Sequence, residues 1–361
     1  MALIFILAMV TAGGILQSVK AEAEIEILFA GDFMDHMDEI KAAYNRSTGL
    51  YNYTSCFTYV KSLMSTPDLT IGNLETPLGI KPYSGFPRFN SPLAYAEALK
   101  NIGVDAVTTA NNHAEDQGVI GIERTIRYLD FLGIMHTGTF LDERHKSFES
   151  PLILEKNGFK IALLSYTFST NHIPNLPPVV VNYLEEGAVL NDVARAKLKN
   201  PDQIIAFLHW GTEYHQLQSA YQERWFQFFK SIGINIVIGS HPHVVQPMKY
   251  NEMDNSLVVY SLGNFLSHQR MPFTDGGAVF RLVLEKNNNG KVRIKRVGFD
   301  LTWVYQVITP DGLKHFTVLP VKRFEKHPEL FTDKEAYAEM MRYARGVRSF
   351  LSRENINVSE E

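Results

Sequence analysis

Six short polar clusters in this 361-residue chain stand where apolar runs end. Ile236 to Gly239 runs into Ser240-His241-Pro242-His243, Ile25 to Ala30 into Gly31-Asp32, and Leu69-Thr70-Ile71 into Gly72-Asn73-Leu74-Glu75. Val104 to Thr108 leads to Ala110-Asn111-Asn112-His113, Gln203 to Leu208 to His209, and Leu257 to Tyr260 to Ser261-Leu262-Gly263-Asn264. Imidazole nitrogens, carboxylates and amide oxygens are donors for divalent cations. The chemistry indicated is metal binding, with a histidine free to move a proton.

Several of these residues also admit structural readings. Asn73 and Glu75 alternate on one face of an extended segment, or form an Asx turn with a surface glutamate. Asn112 offers a neutral oxygen; His113 transfers a proton or supports a phosphate oxygen, or else follows an N-cap as a satisfied histidine. His209 ends its strand as a ligand, with Glu213 orienting a ligand or gripping a substrate amine or hydroxyl. Asp35, His36 and Asp38 are expected to cap a helix or lie on the surface.

The elements that must bring these positions together alternate strands with helices. Strands of a mostly parallel sheet end along one edge, where residues distant in sequence converge. Helices are predicted over Phe57 to Met64, from Ser91-Pro92 to Asn101, over Ile120 to Leu132 with a stop at Gly133, around Asn191 to Leu198, and over Ala220 to Ser231. The aromatic stripe of Ala220 to Ser231 reads as core. Asn157-Gly158 turns a hairpin, and 276–299 forms another expected to continue a second sheet. Lys81 to Pro92 reads as a loop over the site. Glu335 to Leu351 is an amphipathic C-terminal helix followed by a polar tail expected to fray.

Composition is that of a globular protein: 45% hydrophobic and 20% charged, enough for one large domain with appendages. A net charge of -4 with dispersed lysines and arginines argues against nucleic acid as a partner. The single cysteine, Cys56, excludes an intrachain disulfide and a thiolate metal cluster. Residues 1–23, apolar and ending among small side chains, are expected to be a signal peptide or N-terminal anchor, placing the protein outside the cytoplasm, secreted or membrane-anchored. The remainder divides into 24–325 and a helical extension at 326–361.

Ala-Gly-Asp at 30–32, Gly-Asn-Leu-Glu at 72–75, Ala-Asn-Asn-His at 110–113, His-Trp-Gly-Thr-Glu-Tyr at 209–214, Gly-Ser-His-Pro-His-Val-Val-Gln at 239–246 and Ser-Leu-Gly-Asn-Phe at 261–265 together resemble the CapA family of bacterial capsule synthesis proteins. That family is related to the calcineurin-like metallophosphoesterases. The resemblance implies an α/β four-layer sandwich, two mixed β-sheets flanked by helices. It implies Asp32, Glu75, Asn112, His209, His241 and His243 as metal ligands, with Glu75 bridging because Asn73 stands where the phosphoesterases usually have aspartate. His113 becomes the proton donor, and Asn73, Asn111, Glu213, Gln246 and Asn264 substrate-binding or supporting groups. One or two ions of Mn, Zn or Fe suit this donor set.

Three functions follow from the resemblance. The first is synthesis or export of poly-gamma-glutamate or another capsule polymer, with a polyanionic or peptide-like polymer and membrane-bound capsule components as partners. The second is metal-dependent hydrolysis of a phosphoester outside the cytoplasm. The third is a non-catalytic polymer-binding or assembly role.

Overall fold

The computed structural model describes residues 23–361 apart from Asp311 and Thr332, so the predicted leader lies outside the described residues save Ala23, which opens the first strand. Strands in chain order are β1 (Ala23–Phe33), β2 (Leu69–Leu74), β3 (Ala106–Thr108), β4 (Met135–Thr137), β5 (Thr139–Phe140), β6 (Leu152–Lys156), β7 (Phe159–Thr167) and β8 (Val180–Val181). They continue with β9 (Gln203–His209), β10 (Ile236–Ser240), β11 (Met248–Asn251), β12 (Ser256–Val259), β13 (Asn264–Leu266), β14 (Gly276–Lys286), β15 (Val292–Ile308) and β16 (Lys314–Pro320).

Eight strands form one mixed sheet in the order β16-β15-β14-β1-β2-β3-β4, with β13 pairing β1 off that path. Six form the other, β11-β12-β10-β9-β7-β6. β1, β2, β3 and β4 are mutually parallel, as are β7, β9, β10 and β12, while β14 and β11 join their sheets antiparallel. The strands that carry the polar clusters are therefore the parallel ones, and their carboxyl ends share an edge.

Alternation along the strands builds the layers. Ile25, Ile27 and Phe29 of β1 face Ile161, Leu163, Ile205, Phe207, Ile236 and Ile238 of the other sheet in one buried cluster. Phe29 and Phe207 meet edge to face at 5.9 Å. The opposite faces are covered by helices. Leu28 and Ala30 pack with Tyr95, Ala96 and Leu99 of the Leu93–Asn101 helix; Leu164, Ala206 and Val237 pack with Val189, Val193, Trp225 and Phe229. The result is the expected α/β four-layer sandwich of two mixed sheets between helices.

Helices lie close to their sequence expectations, at Leu93–Asn101, Gly118–Leu132, Glu186–Leu198 and Ala220–Ser231. Gly133 ends the second of these at φ 62°, a left-handed conformation that a side chain resists. Ser219 and Gln222 cap the last reciprocally. Gly31, just before Asp32, has a tighter requirement. A Cβ there would lie 1.9 Å from the Gly263 carbonyl oxygen, so the β1 end and the turn before β13 approach only because position 31 has no side chain.

Four expectations are corrected. The region 57–64 breaks into two short helices, Thr54–Phe57 and Lys61–Ser65. The β14–β15 hairpin extends the sheet of β1 instead of the second sheet, because β14 runs antiparallel to β1 along Ala23 to Ala30. The tail after the C-terminal helix Lys334–Glu354 is docked: Ile356 bridges Lys249, Glu360 bridges Phe299, and Arg348 holds Glu360 at 2.6 Å. That helix buries Met340, Tyr343 and Val347 in the inter-sheet core.

Asp35 is the fourth correction, being completely buried and not a cap or a surface residue; His36, the N-cap of Met37–Ala43, makes no side-chain cap. The Asp35 carboxyl accepts from the Tyr53 hydroxyl at 2.8 Å, and burial pushes it up to about 7 against its hydrogen bonds with Ser91 and Tyr53. Between about pH 4 and 7 the folded chain thus keeps a proton that the unfolded chain has released, and folding weakens as pH climbs through that window. Asp35→Asn is expected to flatten this dependence and to stabilise the protein above pH 7 by on the order of 2–4 kcal/mol, measured by urea unfolding across pH. Unchanged pH dependence in the variant would contradict it.

Candidate metal centre

Each candidate ligand comes from a strand end. Asp32 stands near the end of β1, Glu75 one residue beyond β2, Asn112 past β3, His209 at the end of β9, and His241 and His243 past β10. All six are buried. His241 and His243 have φ of 101° and 58°, a region in which a non-glycine residue costs on the order of 1–3 kcal/mol. The Pro242 carbonyl accepts from the Tyr214 backbone N–H at 2.8 Å, tying the strained corner to the loop after β9.

Two donor sets share one carboxylate. Atoms of Glu75, His209 and His241 lie within 4.8 Å of one another, and so do atoms of Asp32, Glu75 and His243. In the first set the His209 Nε2 is 2.8 Å from Asn112 Oδ1, 3.1 Å from His241 Nδ1 and 3.5 Å from Glu75 Oε1. Ligands of a cation at ~2.1 Å are spaced by roughly 3.0–3.4 Å in octahedral or tetrahedral geometry, so these separations fit an ion's coordination shell. In the second, His243 Nδ1 is 3.3 Å from Asp32 Oδ2 and 3.0 Å from Asn264 Oδ1.

The electrostatics fit the same assignment. Burial drives His209 down to about 3 and His241 well below its ordinary range, so both rings are neutral and offer lone pairs at physiological pH. Burial, reinforced by the neighbouring Asp32 charge, raises Glu75 well above the carboxylate range. For Asp32 burial acts upward, but the His243 hydrogen bond and charge outweigh it and hold the carboxyl low. Glu75 Oε1 is buried without a hydrogen-bond partner. A cation between the two sets would give that oxygen a partner and relieve the repulsion with Asp32.

Asn73 ties the carboxylates together. Its Nδ2 donates to Asp32 Oδ1 at 2.8 Å and lies 3.5 Å from Glu75 Oε2 and 3.2 Å from His209 Nδ1; its Oδ1 accepts from Thr108 and Asn111, each at 3.3 Å. Asn111 also donates to the Leu74 carbonyl at 2.8 Å and accepts from the His113 backbone N–H. Asn264 fixes the His243 ring while donating to the Thr274 carbonyl. These three amides orient the donors.

The other predicted supporting residues lie farther out. Gln246 is buried with its amide spent on Gln222 and on the His215 and Leu217 carbonyls, so it clamps the 211–219 loop. Glu213 is half-buried beside Tyr214, whose ring centroid is 6.0 Å from that of His243.

Asp116 belongs to the site and was missed in the sequence. Its Oδ2 lies 2.7 Å from His113 Nδ1 and 2.7 Å from the Phe89 backbone N–H, and the Phe89 ring packs on the His113 ring at 4.6 Å. The carboxylate fixes the imidazole through Nδ1 and leaves Nε2 for the proton to be moved. Its only signal is the spacing His113-x-x-Asp116. Ser240, whose hydroxyl lies 3.0 Å from His209 Nδ1, was likewise missed.

The chain is 27% identical to the PGA biosynthesis protein CapA of Bacillus subtilis (strain 168) over 286 residues, 74% of this chain and 68% of that one. It is 25% identical to the capsule biosynthesis protein CapA of Bacillus anthracis over 281 residues, 74% and 66% of the two chains. This chain thus spans about two thirds of the length of those relatives. The solved structure of Haemophilus influenzae NAD nucleotidase (NadN) superposes with a TM-score of 0.48 at 14% identity, over 94% of this chain and 64% of that one. The profile of the family described as bacterial capsule synthesis protein PGA_cap matches residues 26–269, a span that contains every residue of the centre from Asp32 to Asn264. The chain belongs to the bacterial capsule synthesis protein PGA_cap family.

Proposed function

We propose that the protein acts outside the cytoplasm in the synthesis or export of a poly-gamma-glutamate-type capsule polymer, and that its strand-edge centre performs metal-dependent hydrolytic or transfer chemistry there. The observation that carries the reading is the sharing of Glu75 between two buried donor sets, next to a histidine locked by Asp116. Asn112, Glu75, His209 and His241 would hold one divalent ion, and Asp32, Glu75 and His243 a second. Bound there, such ions supply Lewis-acid stabilisation of charge developing on a phosphoryl or acyl oxygen. The chain's own part is to pack Phe89 against His113, to keep His209 and His241 neutral, and to deliver a proton from His113 Nε2 to the leaving group. Imidazole, carboxylate and amide donors suit Mn, Zn or Fe. Support for the capsule role comes from the family and from the two Bacillus relatives named for it.

Among the described residues no helix is long and apolar enough to cross a membrane.

The test joins metal analysis of the purified protein to a panel of phosphodiester and gamma-glutamyl substrates. The expected result is one to two equivalents of a transition metal and turnover that chelation abolishes. Bound metal and loss of capsule in a deletion strain, without turnover of either class, would favour the assembly role. A protein without metal, in which His209→Ala and His241→Ala change neither stability nor capsule formation, would overturn the reading.

A further inference from the structure

A cleft of about 690 Å³ is lined by the Met37–Ala43 helix, the turn after it, the 81–83 stretch of the Lys81 to Pro92 loop and Leu313. Its described lining residues include three cations, Lys41, Arg46 and Lys81, and three tyrosines, Tyr44, Tyr51 and Tyr83, but no acid. None of the three cations forms an ion pair among the described residues. Asp38, an acid that Lys41 influences, is occupied by Lys314 at 3.1 Å and His268 at 2.9 Å. For a chain of net charge -4, this is a local excess of free positive charge on an ordered aromatic floor.

The floor is preorganised. The Tyr44 and Tyr51 rings lie 5.1 Å apart and Tyr51 meets Tyr83 edge-on at 5.2 Å. Lys81 Nζ is held over both Tyr44 and Tyr51, 5.4 and 5.5 Å from their centroids. A side chain so placed gives up little further rotamer freedom when an anion arrives. Cations spaced along a groove with apolar ring faces between them match a chain that alternates carboxylates with short methylene and amide segments.

Two elements link the wall of the cleft to the centre. Met37 on its wall follows His36, whose ring packs on Phe89 at 5.1 Å, and Phe89 packs on His113. The loop that carries Lys81 and Tyr83 carries Phe89 as well, and it is pressed on the Met37–Ala43 helix where a Cβ at Gly85 would lie 2.4 Å from the Met37 backbone nitrogen. A ligand seated in the cleft lies on the same loop that covers the proton donor.

We infer that this cleft is an accessory subsite that holds a segment of an anionic poly-carboxylate peptide while another part of the same chain occupies the metal centre. The inference rests on the capsule-polymer reading and adds to it the place where the polymer is gripped. The probe is an end-labelled oligo-gamma-glutamate of about ten residues, titrated by fluorescence anisotropy at low salt into the wild-type protein and into Lys81→Glu, Arg46→Glu and Arg127→Glu. Arg127 is an exposed cation of the Gly118–Leu132 helix outside the cleft, so its reversal makes the same change in net charge elsewhere.

Lys81→Glu and Arg46→Glu are expected to weaken binding by at least about tenfold each and to flatten its salt dependence, while Arg127→Glu stays within about twofold. Tyr51→Leu, which keeps all three charges, is expected to weaken binding several-fold at an unchanged salt slope. Wild-type binding that all the cleft variants retain would overturn the subsite alone. Equal loss in Arg127→Glu would show general charge attraction and overturn it too. Failure of the wild type to bind the oligomer at any salt would overturn both the subsite and the capsule-polymer reading.

Discussion

Glu75→Gln is expected to lose metal affinity by at least about 100-fold while the metal-free protein melts at or above the wild-type temperature. The two halves of this result have one cause. In the metal-free chain the Glu75 carboxyl is fully buried and close to Asp32, and both push it well above its ordinary range, so its charged form is disfavoured there. Glutamine has the same shape and no charge, so the exchange removes a buried charge that the metal-free site disfavours and little else. With metal the balance reverses, because Glu75 belongs to both donor sets and its ionised form compensates the charge of each ion. Wild-type protein saturated at 100 times its dissociation constant gains about 2.7 kcal/mol, a shift of several degrees in melting temperature, and the variant should gain almost none. The measurement is thermal melting with and without chelator, paired with elemental analysis. An apo variant much less stable than wild type, with metal content preserved, would show Glu75 to be a structural acid.

The strand-end positions are legible in the sequence because they depend on local features. A run such as Ile236-Val237-Ile238 is legible as a buried strand, and a polar group at its carboxyl end follows the chain to the sheet edge wherever the sheet lies. Asp32, Glu75, Asn112, His209, His241 and His243 were all readable in that way, and the structure brings their side chains together. What could not be read depends on partners distant in sequence. Asp35 resembles a helix cap, yet Tyr53 and Ser91 close over it. The tail at 355–361 has the composition of a frayed end, but Arg348, Lys249 and Phe299 supply its contacts. The β14–β15 hairpin was visible as a hairpin, whereas its sheet was decided by the pairing of β14 with β1. Asp116 shows the remaining limit: a short spacing such as His-x-x-Asp acquires meaning only when the backbone places both side chains on one face and Phe89 supplies the second hydrogen bond.

His113→Ala is expected to reduce turnover of a phosphodiester or gamma-glutamyl substrate by about 10²- to 10⁴-fold with metal content unchanged. His113 is 2.7 Å from Asp116 and packed on Phe89, and it belongs to neither of the two donor sets, so its removal should leave both intact. The dependence on leaving group separates proton transfer from mere packing. A general acid matters most where the departing oxygen or nitrogen is strongly basic, so the loss should be greatest with an alkyl ester or amide and should nearly vanish with a nitrophenyl ester. Asp116→Asn should follow the same leaving-group pattern with a smaller loss, because asparagine can still accept from the Phe89 N–H and from the His113 ring while lacking the charge that stabilises an imidazolium. A uniform loss across leaving groups in both variants, or a parallel loss of metal, would place His113 and Asp116 in the scaffold of the site and leave the proton to another group.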